Sequence, residues 1–196
     1  AAGIWRDARL RTLAAGMALG LFAQVGLVAH LFSVLAPVLG AQEAGFAMAL
    51  ATASAIAGRT LVGWVMPPGA DRRLVACACY GAQVAGSALL FAGLGRSVPL
   101  TLLGIGLFGA GIGNATSLPP LIAQVEFARG EVARVVALIV AFSQAAYAFA
   151  PLAFGLLRTL AGDGSVLAAA ALVQALAAGA FLMGRRRRGM ETASVP

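Results

Sequence analysis

Side chains able to do chemistry are sparse in this sequence and gather in three places. The run FGAGIGNATSLPPLIAQVE, Phe108 to Glu126, holds Asn114, Ser117 and Gln124 among glycines and two adjacent prolines. A second run holds Ser143, Gln144, Tyr147 and Pro151, and a third holds Gln24 and the single histidine, His30. In the first run, Gly106, Ala110, Gly113, Ser117, Pro120 and Gln124 recur at three- or four-residue steps. On a helix they form one stripe, with Asn114 close beside it. The glycines of that stripe suit close helix packing, whereas the amides and hydroxyls need a partner: another helix, water or a solute. Pro119 and Pro120 lack N–H donors and free the carbonyls of Ala115 and Thr116; Pro151 frees that of Tyr147. A kink is therefore expected at Pro119 and Pro120 and another at Pro151. His30 can exchange a proton near neutral pH, but no Asp or Glu stands in mid-run to complete a carboxylate relay.

Reaction chemistry finds little support. No HExxH, CxxC, P-loop or GxSxG pattern occurs, so no catalytic residue, metal site or cofactor is expected. Cys77 and Cys79, two residues apart on a helix, point to nearly opposite sides, which disfavours a disulfide or a shared metal. An intramembrane serine protease would need a Ser nucleophile followed by a His on a neighbouring helix, and the sole His comes too early.

The elements that carry these residues are long apolar runs. The chain is 61% hydrophobic and only 11% charged, against about a quarter charged for a soluble domain. The bilayer is the solvent that such a surface fits. Six runs are long enough to span it: Thr12–Leu39, Ala44–Met66, Leu74–Leu94, Val98–Phe127, Val132–Leu160 and Ser165–Gly184. Their breaks read GAQE, PPGADRR, GRS, ARGE and GDGS, and such punctuation turns the chain. Residues 1–11 form a basic segment, 12–184 the bundle and 185–196 a basic tail. With the N-terminus inside, Arg6, Arg9, Arg11, Arg72, Arg73, Arg129, Arg134 and Arg185 to Arg188 all fall on the cytoplasmic side, while Arg96 and Arg158 fall outside. Arginine excess marks cytoplasmic loops, so both termini are expected inside a multi-pass inner-membrane protein. The net charge of +7 follows from that topology. The RRRR run directly follows an apolar segment and has no aromatic platform, so it reads as an anchor, not a nucleic-acid patch. Arginine without lysine in an Ala- and Gly-rich chain fits a bacterial source. The first residue is Ala, which fits a fragment of a longer protein.

The six runs divide three plus three. The first member of each triplet is long and irregular: Gly16, Gly20, Gln24, Gly26, His30 and Pro37 in one, the Phe108 to Glu126 run in the other. Interrupted segments at corresponding positions of two repeats point to the substrate path of a transporter. The fold expected is therefore all-α and integral to the membrane, with six helices as two three-helix inverted repeats. Gln24, His30, Asn114, Ser117, Gln124, Gln144 and Tyr147 are the candidates for the path of a small-molecule substrate.

At the end of the second run, GRTLVGWVMPPGADRR (Gly58 to Arg73) resembles the loop signature of the major facilitator superfamily. Gly58, Arg59 and Gly63 match its Gly-Arg pair and second Gly, and Arg72 and Arg73 match its basic end. Where that family carries an acid this chain has Pro67, with Asp71 four residues further on. The resemblance implies the C-terminal six-helix half of a bacterial carrier, paired with an N-terminal half and working by alternating access. It also implies a gating role for Gly58, Arg59, Gly63, Asp71, Arg72 and Arg73. A structural subunit without transport is the alternative; it predicts a packed interior with no water-accessible polar positions.

Overall fold

The computed structural model describes residues 6–185; residues 1–5 and 186–196, with the expected tail beyond Arg185, lie outside the described residues. Among the described residues there are seven helices: α1 Ala8–Leu39, α2 Ala41–Val65, α3 Arg72–Gly93, α4 Val98–Ile112, α5 Leu118–Glu126, α6 Arg129–Ala161 and α7 Asp163–Met183. Five of them, α1, α2, α3, α6 and α7, are long and apolar enough to cross a membrane, and α4 is shorter but apolar. Local chemistry sets the ends. Asp7 and Asp71 accept backbone N–H groups in the first turns of α1 and α3, the ordinary work of an Asp N-cap. Gly40, Gly69, Gly95 and Gly162 have φ between 71° and 93°, a left-handed backbone that glycine adopts without steric cost.

The Val98–Phe127 segment differs from expectation. It was expected as one kinked helix, and the chain instead stops at Ile112, turns through 113–117 and restarts at Leu118. Pro119 and Pro120 thereby occupy the first turn of α5, where no intrahelical N–H is required of them. Restarting the helix places both prolines where their missing donors cost little, which a continuous helix cannot do. Pro37 and Pro151 remain inside the unbroken helices α1 and α6.

Packing follows small residues. α4 lies between α2 and α3, and α1 lies against α6 and α7, while α3 and α7 meet at the back. α2 and α4 run in parallel, with backbones almost touching: a Cβ on Gly58 would drive into the Ala110 carbonyl and one on Gly113 into the Ala55 carbonyl. Gly86 and Gly104 allow the same approach between α3 and α4. Small interfacial residues are what let helices associate where no hydrophobic drive separates them from lipid. Two apolar cores result. One, toward one end of the bundle, gathers Leu10, Leu13, Tyr80, Ile122, Val135 and Phe181. The other, toward the opposite end, gathers Leu27, Leu31, Ile105, Phe108, Phe154 and Leu167. α2 and α6 keep broad uncovered faces, with Trp64 86% and Leu160 84% exposed alongside Phe46, Ile56 and Phe149.

Candidate functional site

The polar residues fall into four groups. The first is a buried belt across α1, α3 and α7. Gln24 Nε2 donates to Gln83 Oε1 at 2.9 Å, and the Gln174 side-chain amide lies 2.9 Å from Ser87 Oγ. All four residues are buried. Tyr80 OH and Gln83 Nε2 are also buried and have no partner among the described residues. Sequence analysis singled out none of Tyr80, Gln83, Ser87 and Gln174, since the third member of each triplet carries no charge within its apolar run and no proline. A signal was there: Ala76, Tyr80, Gln83, Ser87 and Leu90 recur at helical spacing, and all are buried.

The second group surrounds the α4–α5 break. Asn114 is buried, and its Nδ2 donates to the Gly58 carbonyl at 3.3 Å. Ser117 Oγ is buried without a partner among the described residues. A cleft lined in part by Cys79, Tyr80, Asn114, Leu118 and Pro119 reaches this break but is too narrow to admit water. Arg59 begins beside Gly113 and is exposed.

The third group ties α1 to α6. His30 Nε2 lies 2.9 Å from the Pro151 carbonyl; a carbonyl only accepts, so that nitrogen carries the proton. Gly155 leaves room for the imidazole. One turn away, Arg158 donates to Ser33 Oγ at 2.6 Å and to Asp163 Oδ1 at 2.6 Å. Ser143 is spent on its own helix, donating to the Ile139 carbonyl. Gln124, Gln144 and Tyr147 are exposed, the last two one turn apart on the uncovered side of α6.

The fourth group closes the opposite end. Arg73, 2% exposed, donates to both Glu126 oxygens from Nε at 2.6 Å and Nη2 at 2.8 Å. It also reaches Thr12 Oγ1 at 3.1 Å and the Arg9 carbonyl at 3.0 Å. Arg9 Nη1 donates to the Glu126 carbonyl at 2.7 Å and Arg72 Nη1 to the Leu121 carbonyl at 2.6 Å. Arg185 pairs with Asp71. Partial burial raises the Asp71 carboxyl, but the Arg185 hydrogen bond and the amides of Leu74 and Arg73 outweigh it and leave its pKa below the ordinary value. The starts of α1 and α3 and the ends of α5 and α7 are thus joined by one charged cluster. The structure brings Asp71, Arg72 and Arg73 together there; Gly58, Arg59 and Gly63 stand apart from it, on α2.

No protein-family model matches the chain, and no curated protein matches it. Among solved structures, the chain is similar to a crystal structure of an autoinhibited POT-family peptide transporter, with a TM-score of 0.77 and 21% sequence identity. The match covers 92% of this chain and 38% of that one. The chain therefore has the fold of part of a transporter and spans well under half of that protein's length.

Proposed function

We propose that the chain is the C-terminal six-segment half of a bacterial secondary transporter of the major facilitator type, moving a small solute by alternating access. The observation that carries this is the fold likeness to a transporter along 92% of the chain. Two features support the inverted three-plus-three reading, α4 and α5 counting as one segment. Exchanging the first three segments with the last three maps the α1–α6 packing onto α4–α2, and α3–α4 onto α7–α1. It also matches His30 at the Pro151 carbonyl with Asn114 at the Gly58 carbonyl. In each case the first member of a triplet ties itself to the middle member of the other.

The N-terminal half of the same protein would cover the apolar faces of α2 and α6, and lipid the rest. The charged cluster of Asp71, Arg72 and Arg73 would lie on the cytoplasmic side, with both termini, and help hold that end closed, with Gly58 and Gly63 giving α2 its close and open faces. Gln144 and Tyr147 are the pathway positions best placed to meet water, with Gln124 nearer the inner end. Gln24 and Asn114 would mainly hold helices in register, His30 would link α1 to α6, and Ser117 would stay available at the break. Pro119, Pro120 and Pro151 would allow the ends of α5 and α6 to move. The neighbour's substrate is a peptide; this chain's solute is proposed only as small. The test uses single cysteines at Gln144 and Tyr147 in the full-length carrier. Labelling by a hydrophilic thiol reagent, altered by locking the carrier toward one side, is the expected result. Two positions that stay unlabelled throughout would instead indicate a packed subunit without a path.

A further inference from the structure

We infer that His30 is a positioning residue of the transport path: by holding the Pro151 carbonyl it sets the bend of α6, and with it the place of Gln144 and Tyr147. This rests on the transporter reading and adds to it a residue that works through others. Pro151 has no N–H, so the Tyr147 carbonyl one turn before it has no helical donor, yet α6 runs unbroken through both. A missing rung of that kind is where a long helix bends. Whatever fixes the bend must grip α6 beyond it, and α1 does so in register. Gly26 leaves the space that the Phe154 ring fills. His30 Nε2 lies 2.9 Å from the Pro151 carbonyl, and the ring edge rests on Gly155, 3.3 Å from where a Cβ would stand. Arg158 donates to Ser33 Oγ at 2.6 Å and to the Ser33 carbonyl at 3.0 Å. The two helices thus run parallel here, with His30 and Pro151 equally far from the starts of their helices.

This clamp ends at Pro151. One turn closer to the start of α6, Tyr147 is 47% exposed, and Gln144 is exposed as well. Of the three contacts, that of His30 alone reaches the proline's own peptide. The Phe154 contact is apolar and not directional. The Arg158 tie is partly in solvent, where charged pairs are worth little. A carbonyl has two lone pairs, so the Pro151 oxygen can take the imidazole N–H from outside its helix, and a side chain that engages the helical ladder is itself a cause of kinks. Proline and histidine therefore act on the same turn. Pro151 is the one proline inside α6, and the one histidine of the chain is placed on it. The other triplet repeats the arrangement. Asn114, at the α4–α5 break, donates to the Gly58 carbonyl of α2 at 3.3 Å, and the exposed Thr60 stands two residues further on. In both, a side chain of the first segment holds a carbonyl of the middle helix beside a defect in the ladder.

The test uses the full-length carrier with a single cysteine at Gln144 and reads the rate of labelling by a hydrophilic thiol reagent in the inward-locked and the outward-locked form. The two rates of the parent should differ at least fivefold. His30→Leu should bring that ratio below twofold, and His30→Gln, whose Nε2 can replace the imidazole donor, should keep at least half of it. Pro151→Ala restores the missing N–H and should lower the ratio on its own, after which His30→Leu should add nothing. A single cysteine placed instead at Thr60 should keep its ratio in His30→Leu, since the change is confined to α6. Equal parent rates in the two forms, a His30→Leu variant that labels like the parent, a His30→Gln variant no better than His30→Leu, or an equal loss at Thr60 overturns the inference. Should His30→Leu not fold, His30→Asn, whose amide is one methylene shorter than that of Gln, takes its place. Labelling that depends on the locked form but not on His30 removes the positioning role alone; no labelling in either form removes the transporter reading, and the role with it.

Discussion

Replacing Glu126 tests whether the buried cation of the charged cluster depends on its partner. Arg73 is 2% exposed, and Glu126 meets it with two hydrogen bonds while remaining 20% exposed itself. Breaking a buried ion pair from one side typically costs about 3–5 kcal/mol, because the remaining charge is stranded. Here Arg73 would keep Thr12 Oγ1 and the Arg9 carbonyl as acceptors, and water can reach the Glu126 site in part. Glu126→Ala should therefore fall near the low edge, about 3 kcal/mol. Glu126→Gln, which keeps an acceptor oxygen, should cost roughly 1–2 kcal/mol. Replacing both partners with apolar side chains, Arg73→Met with Glu126→Leu, should return stability to within about 1 kcal/mol of the parent, since no charge is left buried. Equilibrium unfolding of the full-length protein in mixed micelles, applied to the parent, Arg73→Met, Glu126→Leu and the double variant, measures the four corners of the cycle. A coupling below about 0.5 kcal/mol, the scatter expected of independent sites, would refute the claim that Arg73 is held by Glu126.

Gly58→Ala and Gly113→Ala each push a methyl group into a neighbouring backbone carbonyl; a loss of about 1–3 kcal/mol or more is expected for each. Gly63→Ala, facing open space on α2, should gain up to about 1 kcal/mol through helix propensity, and the same unfolding assay compares the three. Asp71 has a folded pKa below its unfolded one, so its stabilisation is present above the ordinary carboxylate range and is lost as pH falls through the lowered value. A pH series on the parent and Asp71→Asn should converge only at acid pH. For orientation, cysteines at Gln42 and Asp163 should react from outside intact cells and one at Ala70 only after permeabilisation.

What the sequence made legible was local. Each glycine with positive φ sits in a break that the apolar runs already marked, because a left-handed turn and the end of a hydrophobic run are both read over a few residues. The same short view failed at Pro119 and Pro120. A run of spanning length cannot tell a proline that bends a helix from one that begins the next, and Ser117 gives no side-chain cap to mark the restart. Long-range pairings were beyond it too. Arg73 reads as a loop cation until Glu126, 53 residues away, is folded against it, and nothing local pairs Asn114 with the Gly58 carbonyl, 56 residues away.

The place of α1 in the bundle has a consequence for how the protein is made. Its principal partners are α6 and α7, which leave the ribosome after the other described helices. Domains emerge N-terminal end first, and contacts distant in sequence are the slow ones to close. Leu27 and Leu31 of α1 share their core with Phe154 and Leu167, so during synthesis α1 must wait in the bilayer for part of its final neighbours to be translated. Lipid or an insertion factor has to shelter Gly26, which packs on Phe154 of α6, over that interval, whereas Gly20 and Gln24 can meet Tyr80 and Gln83 of α3 earlier. A chain arrested after α5 would hold α2, α3 and α4 together through their glycine contacts and keep α1 mainly by polar ties, Gln24 to Gln83 and Arg9 to the Glu126 carbonyl, with its face toward α6 and α7 uncovered.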